Sequence, residues 1–242
     1  VKNNYSMIPL LLSKNLTLGK RLASGLLRIG KAKCVPKRDY GFNHFKNLSL
    51  VYFKPTGACN LRCRTCGQYG AKGVMNDIAA EENRKILPLD TWKGFIDQIA
   101  VQKPVIYVWG GEPFLYPDIF PLCKYMVDKG LFVSVNTNGT LMERHAEQIV
   151  RDRWSTVFVS LDAFRDVNDE LRGQGAYDKV IAGFKAINRE KEKQKTKYPL
   201  LAVVSVVSNR NYTDLANLAE ASKEYKLDLH VVNLGTYTND NI

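Results

Sequence analysis

Ser49-Leu50-Val51-Tyr52-Phe53-Lys54 is a run of apolar, aromatic and β-branched residues that passes through Gly57 into Cys59-Asn60-Leu61-Arg62-Cys63-Arg64-Thr65-Cys66. Such residues favour a strand, so the cysteine loop begins where a strand ends. Outward along the chain the same alternation recurs. Strands are expected at 105–109, 132–136, 156–161, 200–207 and 229–233, with amphipathic helices at 89–100, 117–129, 142–151, 177–193 and 213–225. Strands apolar on both faces and separated by helices indicate a parallel sheet covered on its outer side. Right-handed crossovers then curl six such units into an open barrel. At 242 residues the chain is slightly short for eight units, which take ~250. The expected class is α/β: a partial (β/α)6 TIM-like barrel with parallel strands over 48–242, preceded by a helical extension and linker over 1–47.

Thiolates suit soft acceptors, chiefly zinc, copper(I) and iron-sulfur clusters. A structural zinc closes its tetrahedron with four protein groups, and only Cys59, Cys63 and Cys66 stand together. The histidines, His44, His145 and His230, are scattered, Cys34 lies upstream in a basic stretch, and Cys123 falls on the buried face of an expected helix. An iron-sulfur cube accepts three thiolates from one tight loop and leaves its fourth iron for another ligand. A cluster is the preferred reading. A non-catalytic module with zinc, completed by Cys34 or a histidine, is the alternative; a phosphate-binding barrel enzyme with incidental thiols is a third.

Reactive groups collect at the carboxyl ends of strands in parallel α/β folds, and each further motif falls at such an end. Gly110-Gly111-Glu112-Pro113 follows the second strand, where two glycines leave main-chain groups accessible and Glu112 adds a carboxylate suited to an ammonium group. Asn138, in Asn136-Thr137-Asn138-Gly139-Thr140, offers a donor and an acceptor, against the plain turn that Asn-Gly also favours. Ser160, in Ser160-Leu161-Asp162, brings a hydroxyl near the end of the fourth strand. Arg172 carries a fork that matches a carboxylate, unless it is a surface charge. Val206 and Val207 end the fifth strand as a ligand ledge or as plain core, and Asn211 or Thr213 is a candidate helix cap. Gly57, Gly67, Gly70 and Gly73 let backbone approach a cluster.

A CxxxCxxC run just after a first strand, followed by these motifs, resembles the radical S-adenosylmethionine (radical SAM) enzymes over about residues 49–235. The resemblance implies a 4Fe-4S cluster on Cys59, Cys63 and Cys66, with the free iron chelated by the amino and carboxylate groups of S-adenosylmethionine. It implies further that Gly110, Gly111 and Glu112 hold the methionine amino group, that Ser160 and Arg172 meet the methionine portion and its carboxylate, that Asn138 meets ribose or carboxylate, and that Val207 lies against adenine. Thr65 departs from the pattern, because the residue before the last cysteine is usually aromatic and helps seat the adenine. The implied activity is reductive cleavage to a 5'-deoxyadenosyl radical that abstracts hydrogen from a substrate. That step needs no acid or base, and none is nominated. Many relatives add a cysteine-rich C-terminal extension, as in the SPASM type, often for peptide modification. A peptide is the substrate this suggests, and the end at Ile242 just after the sixth strand is read as a chain stopping before such an extension.

At 45% hydrophobic and 24% charged, the chain has the balance of an ordinary globular domain and not of a disordered or fibrous one. Five cysteines, three in one short motif, do not make the disulfide framework of a small secreted domain. Neither a secretory signal nor an apolar run of ~18 residues is present, so a reducing, cytoplasmic location is expected. The net charge of +11 favours anionic partners. Part of it lies in 189–197, where acids alternate with bases as on a solvated helix end, and no specific nucleic-acid signal appears. Residues 7–30 carry Leu10, Leu11, Leu16, Leu18, Leu22, Leu26 and Leu27 between Lys14, Lys20, Arg21 and Arg28. This predicts a basic amphipathic helix packed on the domain's own flank, with peripheral membrane contact as the alternative. No flavin or nicotinamide fingerprint is visible, so by likeness to the family an external reductant such as flavodoxin or ferredoxin must deliver electrons.

Overall fold

The computed structural model describes residues 48–71, 73–78 and 85–234, so the amphipathic extension with its offered membrane contact, Cys34 and His44 lie outside the described residues. Six strands, β1 (Leu50–Phe53), β2 (Val105–Val108), β3 (Phe132–Thr137), β4 (Thr156–Ser160), β5 (Leu200–Val207) and β6 (Leu229–Leu234), form one sheet in chain order. Every neighbouring pair is parallel: Leu50 pairs with Val105, Val105 with Phe132, Ser134 with Thr156, Thr156 with Leu200 and Ala202 with Leu229. Parallel neighbours need crossovers. These are α1 (Leu89–Ala100), α2 (Ile119–Asp128), α3 (Met142–Arg151), α4 (Arg165–Arg172) with α5 (Ala176–Lys193), and α6 (Leu215–Ala221). The partial (β/α)6 barrel is as expected, and α1, α3 and β5 occupy the expected residues.

The core lies between sheet and helices. Phe53 meets Trp92 and Phe95 of α1 at ring distances of 5.3 and 5.6 Å. Ile106 and Val108, Val133 and Val135, Val157 and Val159, and Leu201 and Val203, each pair two residues apart along its strand, are buried with Leu122, Ile149 and Phe184 of the helices. Burying each such side chain is worth about 1.5–3 kcal/mol, which makes this face the driving force of the fold. The opposite face differs from the expectation of strands apolar on both sides. Tyr52 is 63% exposed there, and alternation puts Tyr107, Ser134, Asn136, Phe158 and Ser160 on the same side. Among the described residues the six strands do not close the barrel, and nothing covers this inner face at Tyr52. An aromatic row crosses it, with Tyr52 to Tyr107 at 5.5 Å and Tyr107 to Phe158 at 5.6 Å.

Between β4 and the long helix after it, where no element is expected from the sequence, the structure has α4. Its inward face is polar, with Asn168 and Asp169 buried beside Leu171, so no apolar period announces it. Most of those polar groups are paired: Asp162 N donates to Asn168 Oδ1 at 3.1 Å, and Gly175 N and Tyr177 N donate to Asp169 at 2.7 and 2.9 Å, while Asn168 Nδ2 is buried without a partner. At the other misjudged end, α6 is shorter than expected, and Asn211 does not cap it but lies fully buried before it. No helix among the described residues is long and apolar enough to cross a membrane.

Candidate functional site

The loop after β1 holds Cys59, Cys63 and Cys66, all partly buried and free. It is wound on its own backbone: Cys66 N donates to Cys63 O at 3.1 Å, Gly70 N to Cys66 O at 2.8 Å, and a Cβ on Gly70 would lie 2.6 Å from Cys66 O. Backbone amides also face sulfur, from Leu61 N to Cys59 Sγ at 3.5 Å and from Tyr69 N to Cys66 Sγ at 3.4 Å. Arg64 N donates to Leu171 O at 2.7 Å, and Cys63 Sγ to Arg172 O at 3.8 Å, so α4 supports the loop from behind. Burial pushes the Cys63 thiol up to about 11 against the opposing charge of Arg172, and it raises Cys59 as well.

Gly110 and Gly111 lie where the end of β2 passes under this loop. Gly110 has φ +147°, and a Cβ there would be 2.5 Å from Thr56 O; one on Gly111 would be 2.0 Å from Ala58 O. Gly111 N donates to Thr56 O at 3.3 Å and Glu112 N to Ala58 O at 2.7 Å, so the pair of glycines is required by the loop's close approach. Glu112, expected to face a ligand's ammonium group, is fully buried with its carboxylate turned into the scaffold. Oε1 accepts from Phe114 N at 3.1 Å and Thr137 Oγ1 at 2.8 Å, and Oε2 accepts from Asn138 N at 2.8 Å. Burial pushes the carboxyl up to about 7, opposed by those three donors.

Asn138 does reach the cysteine loop. Its Nδ2 donates to Asn60 Oδ1 at 2.8 Å and lies 4.0 Å from Cys59 Sγ, while its Oδ1 accepts from Thr140 N and Oγ1 at 3.0 and 2.7 Å. Asn60 Nδ2 closes the triangle on Thr140 Oγ1 at 2.9 Å. Gly139 takes φ +78° beneath it, where a Cβ would be 2.7 Å from Val159 Cγ1. Ser160 is half-buried on the inner face, and Val207 is half-buried at the end of β5.

Arg172 is not a surface charge. Its side chain is 10% exposed, with Nη2 2.8 Å from Asp162 Oδ2, so the fork expected for a ligand carboxylate already faces one inside the protein. Its buried Nε has no hydrogen-bond partner. Asp162 Oδ1 accepts from Val206 N at 2.8 Å, and Asn211 Nδ2 donates to Asp162 O and Val206 O at 2.8 and 2.9 Å. Asp162 and Asn211 thereby pin the end of β5 to the end of β4. In the sequence Asp162 is a polar residue directly after an apolar run, which any turn also provides, and Asn211, after Ser208-Asn209-Arg210, offers only the candidate cap.

Residues 53–206 match the family model described as the Radical SAM superfamily. The chain belongs to the radical SAM superfamily. The AdoMet-dependent heme synthase of Methanosarcina barkeri is 32% identical over 179 residues, 72% of this chain and 47% of that protein. The mycofactocin maturase MftC of Mycobacterium tuberculosis is 25% identical over 182 residues, 74% of this chain and 43% of that protein. The crystal structure of Streptococcus suis SuiB bound to S-adenosylmethionine matches with a TM-score of 0.65 at 22% identity, covering 80% of this chain and 42% of SuiB. The chain thus spans about half the length of the curated relatives it matches.

The radical SAM cofactors are a 4Fe-4S cluster and S-adenosylmethionine, and the residues present fit both. A tetrahedral zinc needs its thiolates about 2.3 Å from one ion, and no three His, Cys, Asp or Glu among the described residues converge that way. A cube instead takes each thiolate on a separate iron. No described residue offers a fourth ligand: Cys123 is buried in α2, His145 stacks on Phe114 at 5.4 Å, and His230 bonds Ser205 at 2.8 Å. Beside the loop, Gln68 Oε1 and Arg172 Nε are buried without partners, two orphaned polar atoms of the kind a bound ligand satisfies.

Proposed function

We propose that this chain carries out reductive cleavage of S-adenosylmethionine and hydrogen abstraction from a substrate at the carboxyl ends of its strands. The observation that carries the reading is the meeting of three free cysteines at the end of β1 with Asn138 at the end of β3 and Arg172 at the end of α4. Cys59, Cys63 and Cys66 would hold the cluster, which when bound supplies the electron for cleavage to a 5'-deoxyadenosyl radical. Gly110 and Gly111 supply main-chain acceptors for the methionine amino group. Glu112 serves that site through the backbone, by fixing Asn138 N and Phe114 N. Ser160, Asn138 and the free Nε of Arg172 are the polar contacts for ribose and carboxylate, and Val207 is the apolar contact for adenine. The protein's physical part is to orient these groups and keep water from the reacting atoms.

The domain division at 47/48, a reducing cytoplasmic setting and an external reductant are parts of the same proposal. The free cysteines support the second. A peptide substrate is supported by likeness to a relative named as a maturase. A second reading, a tetrapyrrole, is supported by the relative named as a heme synthase together with the aromatic inner face, where Tyr52, Tyr107 and Phe158 offer rings to a flat ligand.

The test is anaerobic reconstitution with iron and sulfide, followed by S-adenosylmethionine and dithionite. A brown protein that forms 5'-deoxyadenosine, with Cys63→Ser colourless and inactive, is the expected result; a colourless wild type with stoichiometric zinc refutes it. Titration with an iron porphyrin separates the substrates. A shifted porphyrin band that Tyr52→Ala abolishes supports the tetrapyrrole, and an unshifted band removes it.

A further inference from the structure

Arg62 and Arg64 flank Cys63 in the chain, and both are exposed on the outside of the cysteine loop. Arg64 Nη1 lies 2.6 Å from Glu170 Oε1. On the same carboxylate, Arg210 Nη2 lies 2.8 and 2.7 Å from the two oxygens. The tertiary fold makes this juxtaposition: α4 brings Glu170 to the loop through the Arg64 N to Leu171 O bond, and the segment after β5 brings Arg210. Arg62 lies over the Tyr69 ring at 4.6 Å and donates to Cys59 O and Leu61 O, both at 2.9 Å. Two guanidinium groups therefore share one carboxylate, and Arg62 stands exposed on the same cysteine loop. Arg64 and Arg210 remain 56% and 53% exposed, so the surface stays net positive after its internal pairing. One arginine would suffice to tether the loop to Glu170, and an exposed pair of this kind stabilises little. The second arginine on Glu170, and Arg62 beyond it, are surplus to that structural role.

We propose that the arginine surface formed by Arg62, Arg64 and Arg210 is the docking face for an acidic one-electron carrier protein. The inference rests on the cluster reading above and deepens it by naming where the reductant binds. One electron leaves the carrier, which is oxidised by one, and enters the centre held by the three cysteines, which is reduced by one; no atom is transferred. The position follows from two constraints. Complementary charge steers an acidic partner and orients it on encounter. Cys63, partly buried and flanked in the chain by Arg62 and Arg64, would set the centre close to the docked face.

The test uses the full chain and a purified flavodoxin as the acidic probe, with binding followed by flavin fluorescence at about 0.01 M and about 0.15 M salt. Arg64→Gln/Arg210→Gln is expected to weaken binding about tenfold at low salt and to flatten the salt dependence. Glu170→Gln breaks the same bridge yet leaves both arginines, and it is expected to bind the probe at least as tightly as wild type. Equal affinities across the three proteins, salt-insensitive binding, or a Glu170→Gln loss as large as that of the double variant overturns the proposal. Dithionite-driven cleavage of S-adenosylmethionine, which bypasses the carrier, is expected to be unchanged in all three. Its absence in wild type sinks the cluster reading alone, because the binding titration still decides the docking face.

Discussion

Replacing Glu112 by glutamine tests how the site's polar scaffold is built. The carboxylate is buried under three donors, and burial pushes it from the ordinary 4.5 to about 7. A folded value above the unfolded one means the native state binds the proton more tightly. Its stabilising contribution is therefore fully present below about pH 4.5 and is lost as pH rises through 7. At about 1.4 kcal/mol per pH unit, the loss amounts to about 3 kcal/mol across that window. Glutamine does not titrate, but it presents an NH2 to one of the donors, most simply Asn138 N, which costs about 1–3 kcal/mol at every pH. Urea unfolding of the cofactor-free protein between pH 5 and pH 8, run for wild type and Glu112→Gln, isolates the titrating part as the change in their difference. The variant is expected to gain on wild type by about 3 kcal/mol over the range, equivalent to about 6–12 °C in Tm. A difference that stays constant within about 1 kcal/mol would refute the reasoning, because the three donors would then hold the carboxylate ionised throughout.

Gly111→Ala pushes a Cβ to 2.0 Å from Ala58 O, and overpacking with loss of the Glu112 N to Ala58 O bond is expected to cost about 2–4 kcal/mol and most of the iron loading. Gly94→Ala in α1 meets nothing within 4 Å, and thermal unfolding should find it as stable as wild type or better by about 0.5–1 kcal/mol. Arg172→Met strands the buried carboxylate of Asp162 and is expected to destabilise by about 3–5 kcal/mol; the double variant with Asp162→Asn should recover part of this in a denaturation cycle. Because burial holds Cys63 protonated up to about 11, each ligand thiol must lose a proton to bind metal, so iron affinity measured by chelator competition is expected to rise between pH 7 and pH 9. A pH-independent affinity would count against thiolate ligation.

The parts of the site that were legible in the sequence share a local cause. Cys59, Cys63 and Cys66 lie within one turn-rich segment, and glycines, prolines and strand ends announce themselves within a few residues. Glu112 was legible as a residue but not as a geometry: its donors Thr137 and Asn138 come from the next strand, and only the β2–β3 register turns the carboxylate toward them. Arg172 was read as a ligand fork or a surface charge, and it is buried against Asp162 because α4, whose inward face is polar, folds back over the cysteine loop. Asn60 was passed over inside the cysteine motif because its partners, Asn138 and Thr140, are about eighty residues away.

By itself the sequence determined the six βα units, their parallel order and the strand ends that carry chemistry, since hydrophobic period and turn residues act over a few neighbours and do not depend on the rest of the chain. Tertiary structure alone decided which polar groups face one another there: the Glu112 anchor, the Asp162–Arg172 pair and the arginines gathered on Glu170. Each joins residues from different strand ends, and their partnership exists only once hydrophobic burial has set the strands side by side.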